Sequence, residues 1–352
     1  MSKLEDTIAR IGPLDEEAMA SAQARQDSLT KPLGSLGRLE ELSIQIAGIS
    51  RQSLPQIRRK AIITMAGDHG VVAEGVSAYP QEVTPQMVYN FLRGGAGINV
   101  LARHVGARVV VVDIGVASDL EPHPDLVSMK VARGTRNMAI GPAMTREEAR
   151  QALEVGINVL EAEVAKGLDI VGTGDMGIGN TTASSAITSV FTGCAVALVT
   201  GRGTGLNDAQ LGHKIEVIRR ALEVNQPDPT DAFGVLAAVG GLEIGGLAGV
   251  ILGAAANRVP VVIDGFISGA AALVACGICP QAREYLIPAH RSVEIGHRAI
   301  FDHLRIRPLL DMDLRLGEGT GAALAISIAE AAVKILSEMA TFGEAGVSEA
   351  LD

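Results

Sequence analysis

The chain has 352 residues, of which 47% are hydrophobic and 20% are charged, so it can bury a large core and is not a disordered protein. Its formal net charge is −10 and its Lys and Arg residues are scattered, which argues against a nucleic-acid partner or an anionic-membrane surface. Cys276 and Cys279 form one C-x-x-C in apolar surroundings, without two further ligands at zinc spacing, so we expect buried structural thiols in a reducing compartment.

Two further features favour a cytoplasmic protein that does not cross a membrane. The first six residues are polar and charged, unlike a secretory signal peptide. The stretches 176–201 and 232–257 have few charges, but they are interrupted by Ser and Thr or by Gly and Glu243. We expect both to be buried elements of a soluble fold rather than membrane spans.

Short apolar runs predict β-strands, and longer helical patterns alternate with them. The runs are continuous rather than alternating, which is typical of parallel strands covered on both faces. This alternation predicts an α/β fold with a parallel Rossmann-like sheet, flanking helices and right-handed crossovers. The predicted strands are 61–65, 108–113, 169–171, 195–199 and 259–264, and the predicted helices are about 84–103, 145–166, 180–192, 208–224 and 267–276.

The two ends of the chain differ from its middle. Residues 1–54 have a helical pattern that is broken at 31–37, and residues 291–340 are also mostly helical. We expect 1–54 and 291–352 to form one small helical domain built from both termini. It would pack beside a parallel α/β domain, 55–290, that carries the phosphate loops.

Glycines recur at every fourth position in the list Gly241, Gly245, Gly249 and Gly253. On a helix they form one stripe, which lets another backbone approach closely and offsets the cost of glycine in a helix. The sequence leaves open whether the partner is the sheet or a second subunit.

An Asp-His pair follows the first predicted strand, in the segment Gly67-Asp68-His69-Gly70. Ligand crevices of parallel sheets open at this end of a strand. Asp68 and His69 could be metal ligands, but no third ligand is near. We therefore expect hydrogen-bonded residues that line the site, and no metal.

The segment from Gly172 to Thr182 carries a glycine-rich strand-to-helix turn around Asp175. Its G-x-G-x-x-G matches the dinucleotide fingerprint, which also needs an acidic residue roughly 20 positions further on. Nothing acidic occurs between Asp175 and Asp208, so NAD is disfavoured and no cofactor is expected. A phosphate at the helix N-terminus remains the interpretation, with Asn180, Thr181 and Thr182 as capping and contacting side chains.

A second glycine loop, 200–205, precedes the predicted helix that contains Lys214. Lysine supplies a point charge for a phosphate, so Gly203 and Lys214 are candidate phosphate contacts. The alternative for Lys214 is a solvated helix residue. The chain has no G-x-x-x-x-G-K-[ST], which excludes a P-loop NTPase.

The segment from Arg315 to Gly321 opens an alanine-rich helical run to about Leu336. Glu318 is predicted in the first turn of that helix, where the dipole favours its ionised form. It would then be a proton acceptor at neutral pH. The alternative is that it only complements the helix dipole.

Together these segments resemble the nicotinate-nucleotide–dimethylbenzimidazole phosphoribosyltransferase family along nearly the whole chain. The matching motifs are Lys31-Pro-Leu-Gly-Ser-Leu-Gly-Arg-Leu-Glu40, Asp68-His-Gly-Val71, Val131-Ala-Arg-Gly134, Gly177-Ile-Gly-Asn-Thr-Thr182, Asn225-Gln-Pro227, Asp264-Gly-Phe266 and Arg315-Leu-Gly-Glu-Gly319.

The resemblance implies transfer of 5-phosphoribosyl from nicotinate mononucleotide to a benzimidazole nitrogen, in the lower-ligand branch of cobalamin synthesis. It implies Glu318 as catalytic base, a metal-independent homodimer, and a small domain built from both termini. Asp175 would stabilise positive charge at the ribose C1. The substrate-binding residues that we expect are Asp68, His69, Tyr79, Met87, Gly177, Gly179, Asn180, Thr181, Thr182, Gly203, Lys214, Asp264 and Leu316.

The chain departs from the family pattern in two places. The family often has glutamate at the position of Asp175, whose side chain is one methylene shorter. Residues 77–87 correspond to the wall of the base pocket, where some members have small or amide side chains in place of Tyr79 and Met87.

Two rival functions remain at this point. An NAD-dependent dehydrogenase has only the glycine fingerprint in its favour. A non-catalytic nucleotide-binding protein with the same fold would be marked by loss of Glu318, which is present.

Overall fold

The computed structural model describes residues 2–203 and 205–348. Its strands are β1 Lys60–Gly67, β2 Ala107–Gly115, β3 Leu126–Ser128, β4 Ile170–Met176, β5 Val261–Ile263 and β6 Leu286–Pro288. All six are parallel and form one sheet in the order β3-β2-β1-β4-β5-β6. Because the order runs outward from β1 in both directions, a crevice opens at the carboxyl ends of β1 and β4. The predicted α/β fold with a parallel Rossmann-like sheet is confirmed.

Helices connect and cover these strands. They are α1 Lys3–Ala9, α2 Glu16–Ser28, α3 Arg38–Ser50, α4 Val83–Leu92, α5 Gly97–Val105, α6 Arg146–Val164, α7 Asn180–Thr192, α8 Val196–Val199, α9 Asp208–Asn225, α10 Ala232–Val239, α11 Leu242–Ala256, α12 Phe266–Ile278, α13 Gly296–Leu304, α14 Thr320–Glu338 and α15 Phe342–Ala345, with 3₁₀ turns at Gly70–Glu74 and Pro280–Tyr285.

Two predicted elements are corrected by the structure. The predicted strand 195–199 is wrong, because this run forms the one-turn helix α8, which packs against α7 and α13. Both edges of β4 are already paired, with β1 and β5, so packing overrides the β-preference of the run. The predicted helix 84–103 is two helices, α4 and α5, because the chain turns at Gly94, whose φ of 76° favours glycine.

The core lies on both faces of the sheet. Ile63 and Met65 of β1 belong to the layer beneath α6, α11 and α12, whereas Ile62 and Ala66 belong to the layer beneath α3, α5 and α14. Successive strand residues point to opposite faces, so both sets must be apolar. This is the physical reason for the continuous apolar runs in the sequence.

The glycine stripe packs against α6 of the same chain, which resolves the question that the sequence left open. A Cβ on Gly249 would lie 2.0 Å from the carbonyl oxygen of Leu153, and one on Gly156 of α6 would lie 1.9 Å from that of Gly246. The two helices thus touch backbone to backbone. Gly241 differs from the rest of the stripe, because it caps the N-terminus of α11 and faces His69.

Helices from both ends of the chain meet in the structure. Ala22, Ala47 and Leu336 form a small buried cluster between α2, α3 and α14. In the described part of the chain, α14 is the one helix that is long and apolar enough to cross a membrane. Ala322, Ile326 and other residues of α14 are buried in the layer against the sheet, so it is a core helix of this fold.

Candidate active site

A cavity of about 490 Å³ opens at the carboxyl ends of β4, β5 and β6. The predicted site residues that line it are Tyr79, Met87, Asp175, Gly177, Asn180, Thr181, Gly203, Leu316 and Glu318. These residues come from four separate loops and α4. The structure therefore brings the two glycine-framed acidic segments together around one space, as the two carboxylates of a single site.

A larger cavity, of about 600 Å³, lies at the opposite edge of the sheet, beside the loops that precede β1, β4 and β5. Its guanidinium groups include Arg59, which donates to the Lys166 carbonyl, and Arg258, which donates to the Pro13 carbonyl. Those bonds tie loops together. Ligands of parallel sheets bind outside the carboxyl ends of the strands, so the smaller cavity is the candidate site.

Glu318 lies before α14 rather than in its first turn, so the predicted placement is wrong. Helix α14 begins at Thr320 after Gly319, and Glu318 has a φ of 62° between two glycines that also have positive φ. The left-handed backbone turns its side chain away from α14. Its Oε2 instead accepts the Ile98 N–H at 3.1 Å, in the first turn of α5. The helix dipole that favours its negative charge is therefore that of α5.

Burial raises the pKa of Glu318, and the Ile98 N–H opposes that rise. The carboxylate is thus a stronger proton acceptor than a free glutamate. Its backbone is fixed as well. The Thr64 hydroxyl donates to the Glu318 carbonyl at 3.1 Å, and a Cβ on Gly174 of β4 would lie 2.2 Å from that carbonyl oxygen.

Asp175 lies near the end of β4 with one oxygen tethered and the other free. The Asn180 side-chain amide donates to Oδ2 at 2.9 Å, while Oδ1 is buried without a hydrogen-bond partner in the described chain. Burial, with the nearby Asp264 and Glu243 carboxylates, raises the pKa of Asp175 well above its usual range. An unpaired acidic group in a buried cavity is costly, and a cationic ligand would relieve that cost.

The predicted capping of α7 by its own polar side chains is wrong. Its cap is Gly179, with a φ of 96° and no side-chain cap bond. Asn180 is committed to Asp175, and the Thr181 hydroxyl accepts a hydrogen bond from the Lys214 ammonium at 2.8 Å. Thr182 is fully buried and, like Gly179, does not line the cavity.

Lys214 is buried, with only 1% of its surface exposed, so the solvated-helix alternative is wrong. It does not line the cavity but lies directly behind Thr181 and Gly203; a Cβ on Gly203 would be 3.3 Å from its ammonium nitrogen. Burial lowers the pKa of Lys214 to about 8, against the opposing charge of Glu294. A positive charge is thus held one layer behind the glycine loops.

Asp68 and His69 do not line the cavity, so their predicted binding role stays a prediction without support from the cavity lining. His69 Nε2 lies 2.6 Å from Glu243 Oε1, and both side chains are fully buried. Asp68 Oδ2 accepts the Ala117 N–H at 2.8 Å. A Cβ on Gly179 would lie 3.1 Å from the His69 Cβ, so these residues support the loop after β4 from beneath.

Asp264 is likewise absent from the cavity lining, and its predicted contact with substrate stays a prediction. Its two oxygens accept the N–H groups of Gly319 at 3.1 Å and Ala322 at 2.9 Å, so it caps α14 from another loop. Burial raises the pKa of Asp264 to about 7, and the backbone donors oppose that rise. It fixes the backbone next to Glu318.

The wall formed by residues 77–87 is partly exposed. Tyr79 is 53% exposed and Leu316 is 60% exposed, while Met87 is half-buried on α4 beside Val83. Flat and flexible apolar groups therefore surround the outer part of the cavity.

Three polar residues that the sequence did not predict line the cavity after β6, namely His290, Ser292 and Glu294. Glu294 Oε2 is buried and unpartnered in the described chain. Strand β6 has only three residues, too few for a periodic signal. The available signal was the polar run that directly follows the apolar segment Tyr285-Leu-Ile-Pro-Ala289.

No group of three or more His, Cys, Asp or Glu residues suited to a metal occurs in the described ranges 2–203 and 205–348. Cys276 and Cys279 are buried free thiols, and burial raises the pKa of Cys276 to about 12. The cavity is lined by carboxylates, the Arg315 guanidinium, the His290 imidazole and glycine-rich backbone, with the Lys214 ammonium one layer behind.

Comparisons with known proteins agree with this chemistry. A family model described as phosphoribosyltransferase matches residues 11–347. Nicotinate-nucleotide–dimethylbenzimidazole phosphoribosyltransferases from Chloroflexus aggregans and Geobacter sulfurreducens are 64% and 60% identical to the chain, each over 99% of both sequences. The crystal structure of CobT from Thermus thermophilus superposes with a TM-score of 0.91 at 47% identity, covering 95% of this chain and 100% of that one. The chain therefore belongs to the nicotinate-nucleotide–dimethylbenzimidazole phosphoribosyltransferase family.

Proposed function

We propose that this enzyme transfers 5-phosphoribosyl from nicotinate mononucleotide to 5,6-dimethylbenzimidazole or a related base. The products are α-ribazole 5'-phosphate and nicotinate, as in cobalamin lower-ligand synthesis. One observation carries the proposal: the buried carboxylates of Glu318 and Asp175 line one cavity together with the glycine loop at the start of α7.

Glu318 acts as the catalytic base. One nitrogen of the benzimidazole attacks the ribose C1, and the other nitrogen carries the proton that must leave. A carboxylate bonded to that N–H increases electron density on the attacking nitrogen and accepts the proton as the new bond forms. The pKa of Glu318, raised by burial, suits it to this role.

Asp175 stabilises the positive charge of the donor. The pyridinium of nicotinate mononucleotide becomes neutral when it leaves, so no general acid is required. Charge that develops at C1 is stabilised by a nearby carboxylate, and the cationic ring in turn favours the ionised form of Asp175. The side-chain amide of Asn180 fixes the direction of that carboxylate.

The phosphate is held by the loop around Gly177 and Thr181 and by the loop at Gly203. A helix N-terminus presents backbone N–H groups to an anion, and α7 begins at Asn180. The Lys214 ammonium behind Thr181 adds a positive charge through the hydroxyl that it contacts. In-line placement of both reactants supplies much of the remaining acceleration.

The base occupies the outer part of the cavity, against Tyr79, Met87 and Leu316. Tyr offers a flat face for stacking, and Met adapts to varied shapes. An apolar pocket discriminates by only about 1–3 kcal/mol per methylene. We expect dimethylbenzimidazole to be preferred and unsubstituted benzimidazole to be accepted within about two orders of magnitude.

The test is incubation with nicotinate mononucleotide and a panel of bases, followed by mass analysis of the products. Ribosylated benzimidazoles and free nicotinate are expected. Recovery of unchanged nicotinate mononucleotide with every base would refute the proposed reaction.

We further propose a cytoplasmic homodimer. Large apolar side chains are exposed on the single chain, including Ile140 at 75% and Leu33 at 73%. A subunit interface that covered such side chains would remove apolar surface from water. Light scattering after gel filtration should give twice the mass of the chain, and a monomer at micromolar concentration would contradict the dimer.

A further inference from the structure

Thr84 lies in the first turn of α4 and is fully buried, yet nothing in the proposed reaction uses it. Its Oγ1 accepts the backbone N–H of Ile178 at 3.1 Å. Ile178 lies between Gly177 and Gly179, in the centre of the loop that we assign to the phosphate. This is the one side-chain hydrogen bond that the structure describes between α4 and this loop.

The Asp68 carboxylate lies beside the same hydroxyl, and its Oδ1 is buried without a hydrogen-bond partner in the described chain. Burial raises the pKa of Asp68, and the Ala117 N–H and the Thr84 hydroxyl oppose that rise. A hydroxyl can donate one hydrogen bond while it accepts another. Asp68 is itself fixed at the end of β1, because its N–H donates to the Gly115 carbonyl of β2 at 2.9 Å. The carboxylate that faces the Thr84 hydroxyl is therefore held at the centre of the sheet.

Helix α4 also carries the wall of the base pocket. Val83 and Met87 line the cavity on either side of Thr84 along the helix, and Val88 and Phe91 bury its other face. Residues one and three positions from Thr84 move with its backbone as a unit. Any shift of the loop relative to α4 would change the distance between the phosphate of one substrate and the ring of the other.

We propose that Thr84 is a positioning residue, through which the loop 177–179 and the base wall on α4 are kept at a fixed spacing. The proposal rests on the proposed function for its consequence: the ribose C1 and the attacking nitrogen must be in line for transfer. Thr84 touches neither reactant in this scheme and acts through the Ile178 N–H.

The test compares two variants that separate the hydroxyl from the methyl group. Thr84→Val keeps the shape and removes the hydroxyl, whereas Thr84→Ser keeps the hydroxyl and removes the methyl. We expect Thr84→Val to raise KM for nicotinate mononucleotide about tenfold, the effect of one lost buried hydrogen bond, and to reduce the preference for dimethylbenzimidazole over benzimidazole. Thr84→Ser should stay within about threefold of wild type by the same estimate. A purely structural role predicts the reverse order, because the smaller side chain leaves a cavity.

A second measurement does not depend on catalysis. Hydrogen exchange of the peptide that contains Ile178 should be faster in Thr84→Val than in wild type or in Thr84→Ser.

If Thr84→Val does not fold, Asp68→Asn provides the test, since it removes the charge that faces the hydroxyl while keeping the side-chain shape. It should raise KM for nicotinate mononucleotide in the same direction.

The proposal is overturned if Thr84→Val has the same KM for nicotinate mononucleotide and the same hydrogen exchange at Ile178 as the wild type. It is also overturned if both Thr84 variants are impaired equally, or if Asp68→Asn folds and its KM is unchanged. Failure of the proposed function looks different. In that case the wild-type protein turns over no base, while the exchange of the Ile178 peptide still reports on the hydroxyl.

Discussion

The carboxylate of Glu318 owes its reactivity to neighbours that are distant in sequence. The Ile98 N–H that it accepts belongs to α5, and its backbone carbonyl accepts the Thr64 hydroxyl of β1 and lies close to Gly174 of β4. Burial raises its pKa, so its carboxylate has a higher proton affinity than that of a free glutamate. A single side chain is thereby prepared to accept a proton from a bound base.

Replacement of Glu318 by Gln should leave the fold intact and reduce kcat by on the order of 10²-fold or more, the usual effect of a positioned base. The amide keeps the shape but cannot take the proton. Steady-state turnover is the measurement, and Glu216→Gln on the exposed face of α9 is the control. Near-normal turnover would assign the proton-acceptor role elsewhere, with Asp175 as the next candidate.

The pH dependence of kcat/KM should differ between the wild type and Glu318→Gln. The base works only as the carboxylate, so kcat/KM should fall as the pH drops through the pKa of Glu318, which burial has raised above 4.5. The acidic limb should therefore lie at a higher pH than for an ordinary glutamate. It should be absent from the residual activity of Glu318→Gln, and a persistent limb would assign it to another group.

For Lys214 we expect the KM for nicotinate mononucleotide to change on the alkaline side of the pH profile. Its pKa is lowered to about 8 by burial, so the free enzyme loses the ammonium as the pH rises through that value. KM for nicotinate mononucleotide should rise above pH 8. Lys214→Met should have a raised KM at all pH values and no such limb. A flat KM in the wild type up to strongly alkaline pH would show that phosphate binding does not depend on this charge.

At the scale of the elements, continuous apolar runs correctly predicted parallel strands. A strand that is covered on both faces of the sheet needs apolar side chains at odd and at even positions. The same signal failed at 195–199, which forms the one-turn helix α8 packed against α7 and α13, while both sides of β4 are paired with β1 and β5. Glycine spacing was informative in a different way. It predicted a close helix contact, but it could not identify α6 as the partner, which depends on how the crossovers pack.

Gly249→Ala should destabilise the protein by about 1–3 kcal/mol, the usual cost of overpacking a tight contact. Its Cβ would lie 2.0 Å from the Leu153 carbonyl oxygen, and neither backbone can move freely. The control is Gly212→Ala in the exposed part of α9, where a Cβ has no atom within 4 Å. That change should be neutral or stabilising by about 0.5–1 kcal/mol, because alanine favours helix. Thermal unfolding of both variants is the measurement, and equal melting temperatures would contradict the backbone contact.

At the scale of the whole molecule, the site exists because four carboxyl-end loops and α4 meet at one edge of the sheet. The described residues supply carboxylates and an ammonium to this edge, without a cluster suited to a metal. The division into domains 55–290 and 1–54 with 291–352 stays a prediction.

Activity should therefore survive exhaustive chelation. The proposed chemistry requires a carboxylate base and a leaving group that becomes neutral, and backbone N–H groups with Lys214 can hold the phosphate. Turnover is measured before and after dialysis against EDTA, with the same buffer lacking EDTA as control. A loss of turnover that a divalent ion restores would contradict this prediction.

The sequence by itself determined the fold class, the family and the two acidic glycine loops, because these depend on local patterns: apolar runs, turn glycines and ordered motifs. It placed Glu318 and Asp175, the two cavity carboxylates, in separate loops that later proved to converge.

Only the tertiary structure decided which polar residues reach the cavity. Asp68, His69, Lys214 and Asp264 were all predicted to contact substrate, and none of them lines the cavity. Lys214 and Asp264 are bonded to cavity loops, at Thr181 and at Gly319, whereas Asp68 is bonded to Ala117 and His69 to Glu243. His290 and Glu294 reach the cavity without a strong local signal. The physical reason is that a side chain's distance from a ligand depends on strand register and helix packing across the whole sheet. A sequence motif reports which residues share a loop, but not which layer of the fold each of them enters.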